Sequence, residues 1–236
     1  MNSLVAMFRL LLRQQITAGR LALVGGFSAL SLAVALGISR QAGDVITSTV
    51  EFMAGFGLGL MVPIIALVLA SSTLGELVDD ETLVYLWHRP VARWKLAAAA
   101  WMASSTVSIP LTAIPLAISA AVASRDASTA IAVGASAALG ALAYGGLFTL
   151  LGLMIRRALI WGLVYLFIWE LFVANVGGGS AQLSIRTYPL SVLSQLTDVD
   201  IRLADYGTVT GTVVPVIVAV GAVGLTAWRL DHIDVA

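Results

Sequence analysis

The sequence predicts an all-α integral membrane protein with six transmembrane helices, and three observations carry that prediction. First, 59% of the 236 residues are hydrophobic and only 11% are charged, with a mean hydropathy of +0.97, whereas a soluble domain is roughly one quarter charged. Second, continuous apolar runs occupy residues 21–38, 52–74, 96–123, 129–155, 158–176 and 208–228, and each is close to the about 20 residues a helix needs to cross the hydrocarbon core. Barrel strands would instead alternate polar and apolar residues over short stretches. Third, Arg9, Arg13, Arg20, Arg89, Arg93, Lys95, Arg156, Arg157 and Arg229 fall at one set of run ends, and only Arg40, Arg125, Arg186 and Arg202 at the other. The positive-inside rule then puts both termini in the cytoplasm.

Residues 1–20 read as an amphipathic interface helix. Asn2, Arg9, Arg13 and Arg20 form one stripe at helical spacing, while Leu4, Phe8, Leu11 and Leu12 face elsewhere, so the helix is expected to lie along the inner membrane surface. The same arginines help to set topology. Three arginines over some twenty residues are more than the charged start of a cleaved signal peptide, so the first apolar run is expected to remain as a helix.

In the second run Gly55, Gly57 and Gly59 make a small face, with Gly55 and Gly59 at the spacing that lets a neighbouring helix approach closely. Helix packing and lining of a pathway are both open for them. In the third run Pro110 and Pro115 are expected to kink or break the helix. The fifth run carries Glu170 roughly 18 Å along its axis, and a carboxylate at that depth is costly and usually has a task. One reading makes it a cap for the backbone of a folded-back external segment, with Ser184 and Tyr188 as partners; the other makes it a substrate contact. The external segment, 177–207, opens on Gly177, Gly178 and Gly179 and continues half apolar through Leu183, Ile185, Tyr188, Leu190, Val192, Leu193 and Leu196. Short re-entrant or interfacial helices are expected there.

Several chemistries lack their residues. The chain has no cysteine, and its two histidines, His88 and His232, fall in predicted cytoplasmic segments. Ser136 therefore has no intramembrane histidine to activate it as a nucleophile. The sole lysine, Lys95, stands in Arg93-Trp94-Lys95-Leu96 rather than in a glycine-rich phosphate loop. No catalytic residue, metal site or cofactor is expected on this chain, and a net charge of zero offers nothing to nucleic acid.

The most informative stretch is the cytoplasmic segment 75–95. Glu76, Asp79, Asp80 and Glu81 precede an apolar cluster of Leu83, Leu86 and Trp87, after which come Arg89, Pro90 and Arg93. Leu83, Leu86 and Trp87 recur at helical spacing, the acids favour a helix start and Pro90 marks an end. The prediction is a short helix lying across the membrane face with an apolar surface to offer a partner.

Here the sequence resembles the permease subunits of ABC-2 type exporters. That family follows its second span with a Glu, then an acidic-Gly-Thr-Leu core, then Pro-Val-x-Arg; this chain has Glu76, Glu81-Thr82-Leu83 and Arg89-Pro90-Val91-Ala92-Arg93. It departs by placing Glu81 where the family usually has Gly, and alanines after Leu96. Trp169-Glu170-Leu171-Phe172 followed by Leu183-Ser184-Ile185 and Tyr188 is similar to the family's fifth span and external segment. The resemblance implies a half-transporter in a prokaryotic plasma membrane, working by alternating access. A second permease copy would pack beside it, and a separate ABC ATPase subunit would hold ATP and Mg. It also implies that Glu76, Asp79, Asp80, Glu81, Thr82, Leu83, Leu86, Trp87, Arg89, Pro90 and Arg93 form the ATPase-coupling segment. Arg156 and Arg157 would be a second, smaller contact or simply a topology-setting turn. The competing reading is a membrane scaffold or assembly factor that holds a cytoplasmic partner without transport.

Overall fold

In lipid a backbone polar group finds no water, so an apolar chain satisfies its amides and carbonyls within helices. The computed structural model describes residues 3–79, 92–172 and 181–232, and no strand occurs among them. The helices are α1 (Ser3–Gln15), α2 (Ala18–Ile38), α3 (Val45–Phe52), α4 (Val62–Asp79), α5 (Arg93–Ser124), α6 (Ala127–Met154), α7 (Ala158–Val164), α8 (Thr187–Thr197) and α9 (Thr208–Asp231). A π-helical segment, Met53–Met61, joins α3 to α4 without a break, and a second, Tyr165–Phe172, prolongs α7.

Five helical stretches are long and apolar enough to cross a membrane: Ala18–Ile38, Val45–Gly75, Arg93–Ser124, Ala127–Met154 and Thr208–Asp231. The remaining predicted run appears as the shorter apolar helix Ala158–Phe172, and 173–176 lie outside the described residues. Five of the six predicted runs thus appear among the described residues as helices long enough to span. α5 continues through Pro110 and Pro115. Each proline removes one backbone hydrogen bond, whereas a break in lipid would strand several groups, so continuing is the cheaper course.

α6 is the centre of the bundle, packed against α4, α5, α8 and α9. Its buried face is built largely of small residues, including Ala137, Gly140, Ala141, Gly145, Gly146 and Gly152, with Tyr144, Phe148 and Leu153 among the bulky exceptions. Small side chains let helices approach where lipid offers no hydrophobic drive for association. At Gly152 an added Cβ would lie 2.4 Å from the Ser71 carbonyl oxygen, and at Gly146 one would lie 2.8 Å from Ala219 Cα.

The two ends of the bundle differ. At one end Leu11 of α1 packs with Leu74, Leu96, Leu153 and Leu230 in a single apolar cluster, which gathers α1 with the ends of α4, α6 and α9 and the start of α5. Leu11 is buried and Leu4, Phe8 and Leu12 are half-buried, while Arg9 and Arg13 are exposed, so the amphipathic division of α1 serves the protein as well as the membrane surface. Arg20 turns back to donate to the Gln14 carbonyl at 2.7 Å, fixing the bend between α1 and α2.

At the other end two aspartates cap helices. Asp44 accepts from the Ile46 and Thr47 amides at 3.1 and 3.2 Å and from the Thr47 hydroxyl at 2.6 Å. Asp126 accepts from the Thr129 amide and hydroxyl at 2.8 and 2.7 Å and from the Ser128 hydroxyl. These bonds, the Thr47 and Ser128 hydroxyls first, hold both carboxyls below their ordinary value of 3.8, because each bond favours the charged form. The stabilisation is thus complete above 3.8 and is lost as pH falls below it towards the folded-state values. Amide protection at residues 45–47 and 127–129 in detergent, corrected for intrinsic rates, should decline from pH 5 to pH 2. Unchanged protection would contradict the capping role.

Candidate functional site

The site forms where the segment leading into α8 meets the two π-helical segments. Glu170 lies in Tyr165–Phe172 and is only 1% exposed. An isolated buried carboxylate would be prohibitive, so the question is which donors it receives. Four stand among the described residues: the Tyr165 hydroxyl at 2.9 Å, the Ser184 hydroxyl, the Ile185 amide at 3.0 Å and the Arg186 amide at 3.4 Å. The last two amides stand at the start of α8, where helix geometry leaves N–H groups without partners inside the helix. Arg186 occupies the N-cap position and supplies no side-chain cap. Glu170 does that work from another element, and its negative charge suits the positive end of the helix.

The Arg186 side chain then points away from α8 into the bundle. Its Nη2 donates to the Ala54 carbonyl at 3.2 Å, and its guanidinium occupies the space beside Gly59, where an added Cβ would meet Cζ and Nη2 at 3.1 Å. Ala54 and Gly59 both belong to Met53–Met61. Here the Val62 amide bonds to Gly57, five residues back, which is the wider π-helical turn. Tyr144 of α6 completes the cluster. It is 1% exposed, its ring stacks on Phe148 at 5.7 Å, and Phe148 meets Tyr165 edge-on at 6.3 Å. Tyr144 and Arg186 both interact electrostatically with Glu170, and among the described residues the buried Tyr144 hydroxyl and Arg186 Nε meet no partner at hydrogen-bond geometry.

Chemically this is a clasp. One carboxylate and one guanidinium fasten the start of α8 to the two π-helical segments, and no group of three metal-ligating side chains is present among the described residues. Of the two partners that the sequence suggests for Glu170, Ser184 donates to it. Tyr188 donates instead to the Gln182 carbonyl at 2.7 Å and stacks on Tyr206 at 5.2 Å.

The paired glycines need correction. Gly55 is exposed, with nothing within 4 Å of where a Cβ would stand, while Gly57 and Gly59 face inward, against Leu116 and Arg186. The spacing argument assumes an α-helix, and the π-helical turn changes the phase, so Gly55 and Gly59 do not form one face.

Most of the predicted coupling segment falls outside the described residues: Asp80, Glu81, Thr82, Leu83, Leu86, Trp87, Arg89 and Pro90, together with the side chains of Glu76 and Asp79. Arg93 is described. It donates to the Leu230 carbonyl and pairs with Asp231 at 3.6 Å, so it ties the start of α5 to the end of α9. Arg156 and Arg157 are exposed in the turn between α6 and α7, Arg157 in the left-handed region at φ 60°. Arg157 also lines, with Arg20, Ser72 and Gly75, a cavity of about 160 Å³.

Sequence reasoning missed Arg186, Tyr165, Tyr144 and the Ala54 carbonyl. The available signal was Arg186 itself, an arginine directly after the Ser184-Ile185 pair in a half-apolar segment, which the positive-inside count absorbs as a plain external charge. Neither a comparison with protein-family models nor one with curated proteins finds a match.

Proposed function

We propose that the chain is the six-span permease subunit of an ABC-2 type exporter in a prokaryotic plasma membrane, with both termini cytoplasmic. The observation that carries this reading is the order Glu76, Glu81-Thr82-Leu83, Arg89-Pro90-Val91-Ala92-Arg93 between the second and third apolar runs. Two features support it. α4 ends and α5 begins at the same end of the bundle as α1 and the end of α9, so a segment joining them is available to a partner beneath the membrane. The chain also has no phosphate-binding loop of its own, so ATP and Mg belong to a separate ATPase subunit, and a second permease copy completes the pathway. Nucleotide-driven closure of the ATPases moves the 75–95 segment, and the helices attached to it carry substrate outward by alternating access.

Co-purification from native membranes tests the reading. Exposed ion pairs are worth about 0–1 kcal/mol, whereas a buried interface aromatic is worth about 2 or more. Trp87→Ala and Leu83→Asp are therefore expected to release the ATPase or uncouple its hydrolysis, and Asp79→Asn to change little. Wild-type recovery and coupling in both apolar variants would remove the coupling assignment. Recovery of a non-ATPase enzyme in place of an ATPase would favour the scaffold.

A further inference from the structure

A groove of about 460 Å³ opens on the bundle surface between α1, α5 and α6, lined by Phe8, Trp101, Met102, Thr106, Pro110 and Leu142 among others. Its volume lies within the range of small-molecule sites, roughly 300–1,000 Å³. The walls are mostly apolar: of their polar groups, the Trp101 indole N–H donates to the Leu142 carbonyl at 3.3 Å and the Thr106 hydroxyl to the Met102 carbonyl at 2.7 Å, and the Ser105 hydroxyl alone makes no hydrogen bond among the described residues. An apolar occupant suits such walls.

What stands above the groove narrows the choice. Lys95 precedes Met102 by seven residues, two turns of α5, so it lies on the same face about 10 Å nearer the helix start. Its ammonium is 5.8 Å from the Trp94 ring centroid. Trp94 is 56% exposed, and exposed tryptophans at span ends mark the membrane–water interface. Lys95 thus sits at headgroup level with the groove beneath it in the hydrocarbon. Arg9 and Arg13 of α1 are exposed at the same end. The acid described nearby, Asp231, is paired with Arg93.

We infer that the groove holds one acyl chain of an anionic phospholipid, with the lipid phosphate against Lys95 and the rim of α1 closing over the chain. The inference is independent of the transport reading, since it needs only a bilayer around this end of the bundle. A zwitterionic lipid offers the same chain but less net charge to a basic rim.

The test is native mass spectrometry of the purified, delipidated protein titrated with phosphatidylglycerol or phosphatidylcholine. The wild type should retain one phosphatidylglycerol, about fivefold more tightly than phosphatidylcholine, the ratio expected for one lysine at the surface. Lys95→Gln should erase that ratio, and Thr106→Trp, at an exposed groove position, should weaken retention of both lipids. If Thr106→Trp does not fold, the Lys95→Gln arm decides alone. Equal binding of both lipids to the wild type, or an unchanged ratio in Lys95→Gln, would overturn the proposal. Displacement of bound lipid by glycerol 3-phosphate alone would overturn it too, by reducing the site to a phosphate contact without a chain.

Discussion

Glu170→Leu is expected to lower the unfolding temperature in detergent sharply and to open residues 181–207 to proteolysis, while Glu170→Gln falls between it and the wild type. The difference comes from which donors can move. The Tyr165 and Ser184 hydroxyls can rotate to other acceptors, but the Ile185 and Arg186 amides are fixed by the start of α8. Two buried amides without acceptors cost about 1–3 kcal/mol each, so about 2–6 kcal/mol is lost, a large share of the about 5–15 kcal/mol that holds a typical domain together. The Arg186 guanidinium would also lose its nearby opposite charge. Glutamine keeps a carbonyl for one amide and its NH₂ can donate to Ser184, but the other amide then faces a donor and loses its acceptor, so about 1–3 kcal/mol is lost, roughly half the loss in Glu170→Leu. Fluorescence-detected size-exclusion chromatography after heating measures the first effect and limited proteolysis the second. A Glu170→Leu protein that melts with the wild type would mean the clasp is not structural, and loss of transport in a stable Glu170→Gln protein would give the charge itself a role.

Gly152→Ala should be nearly as damaging, although it adds a single methyl group. The new Cβ would lie 2.4 Å from Ser71 O and 3.0 Å from Ser71 C and Cα, and all three are backbone atoms that cannot swing aside. α4 and α6 would have to separate along the contact that also places Gly75 against Gly152. Overpacking typically costs about 1–3 kcal/mol where side chains can adjust; here they cannot, so the loss should reach or exceed the top of that range. Gly55→Ala is the matched control, since its Cβ meets nothing within 4 Å. Equal stability of the two variants would mean that α4 and α6 do not cross so closely.

How far these features were legible depends on what each leaves in the sequence. Span positions were legible because length and uninterrupted apolarity depend only on composition: the expected 129–155 appears as Ala127–Met154, and 21–38 as Ala18–Ile38. The π-helical segments were not. Met53-Ala54-Gly55-Phe56-Gly57-Leu58-Gly59-Leu60-Met61 is apolar or small throughout, so no polar residue marks its period, and a pairing five residues apart reads like one four apart. The inward course of Arg186 was hidden for another reason. Its direction is set with its own amide, which Glu170 holds from a separate helix 16 residues earlier. The burial of Glu170 was legible because a lone carboxylate within an apolar run must find donors, and the nearest were on the segment that follows it.

The Arg93 bond to Leu230 spans 137 residues, and the three atoms nearest a Cβ at Gly146 all belong to Ala219. During synthesis, therefore, α5 and α6 enter the bilayer well before the helix that completes them has left the ribosome. Until α9 arrives, the nascent protein lacks the Leu230 carbonyl that Arg93 binds and carries a notch beside Gly146 in its central helix, features by which a quality-control protease can tell an unfinished chain from a finished one. A premature stop codon anywhere before 208 would leave the chain in that state permanently, and a truncated product should be cleared faster than the full-length protein even though most of its helices have already been inserted.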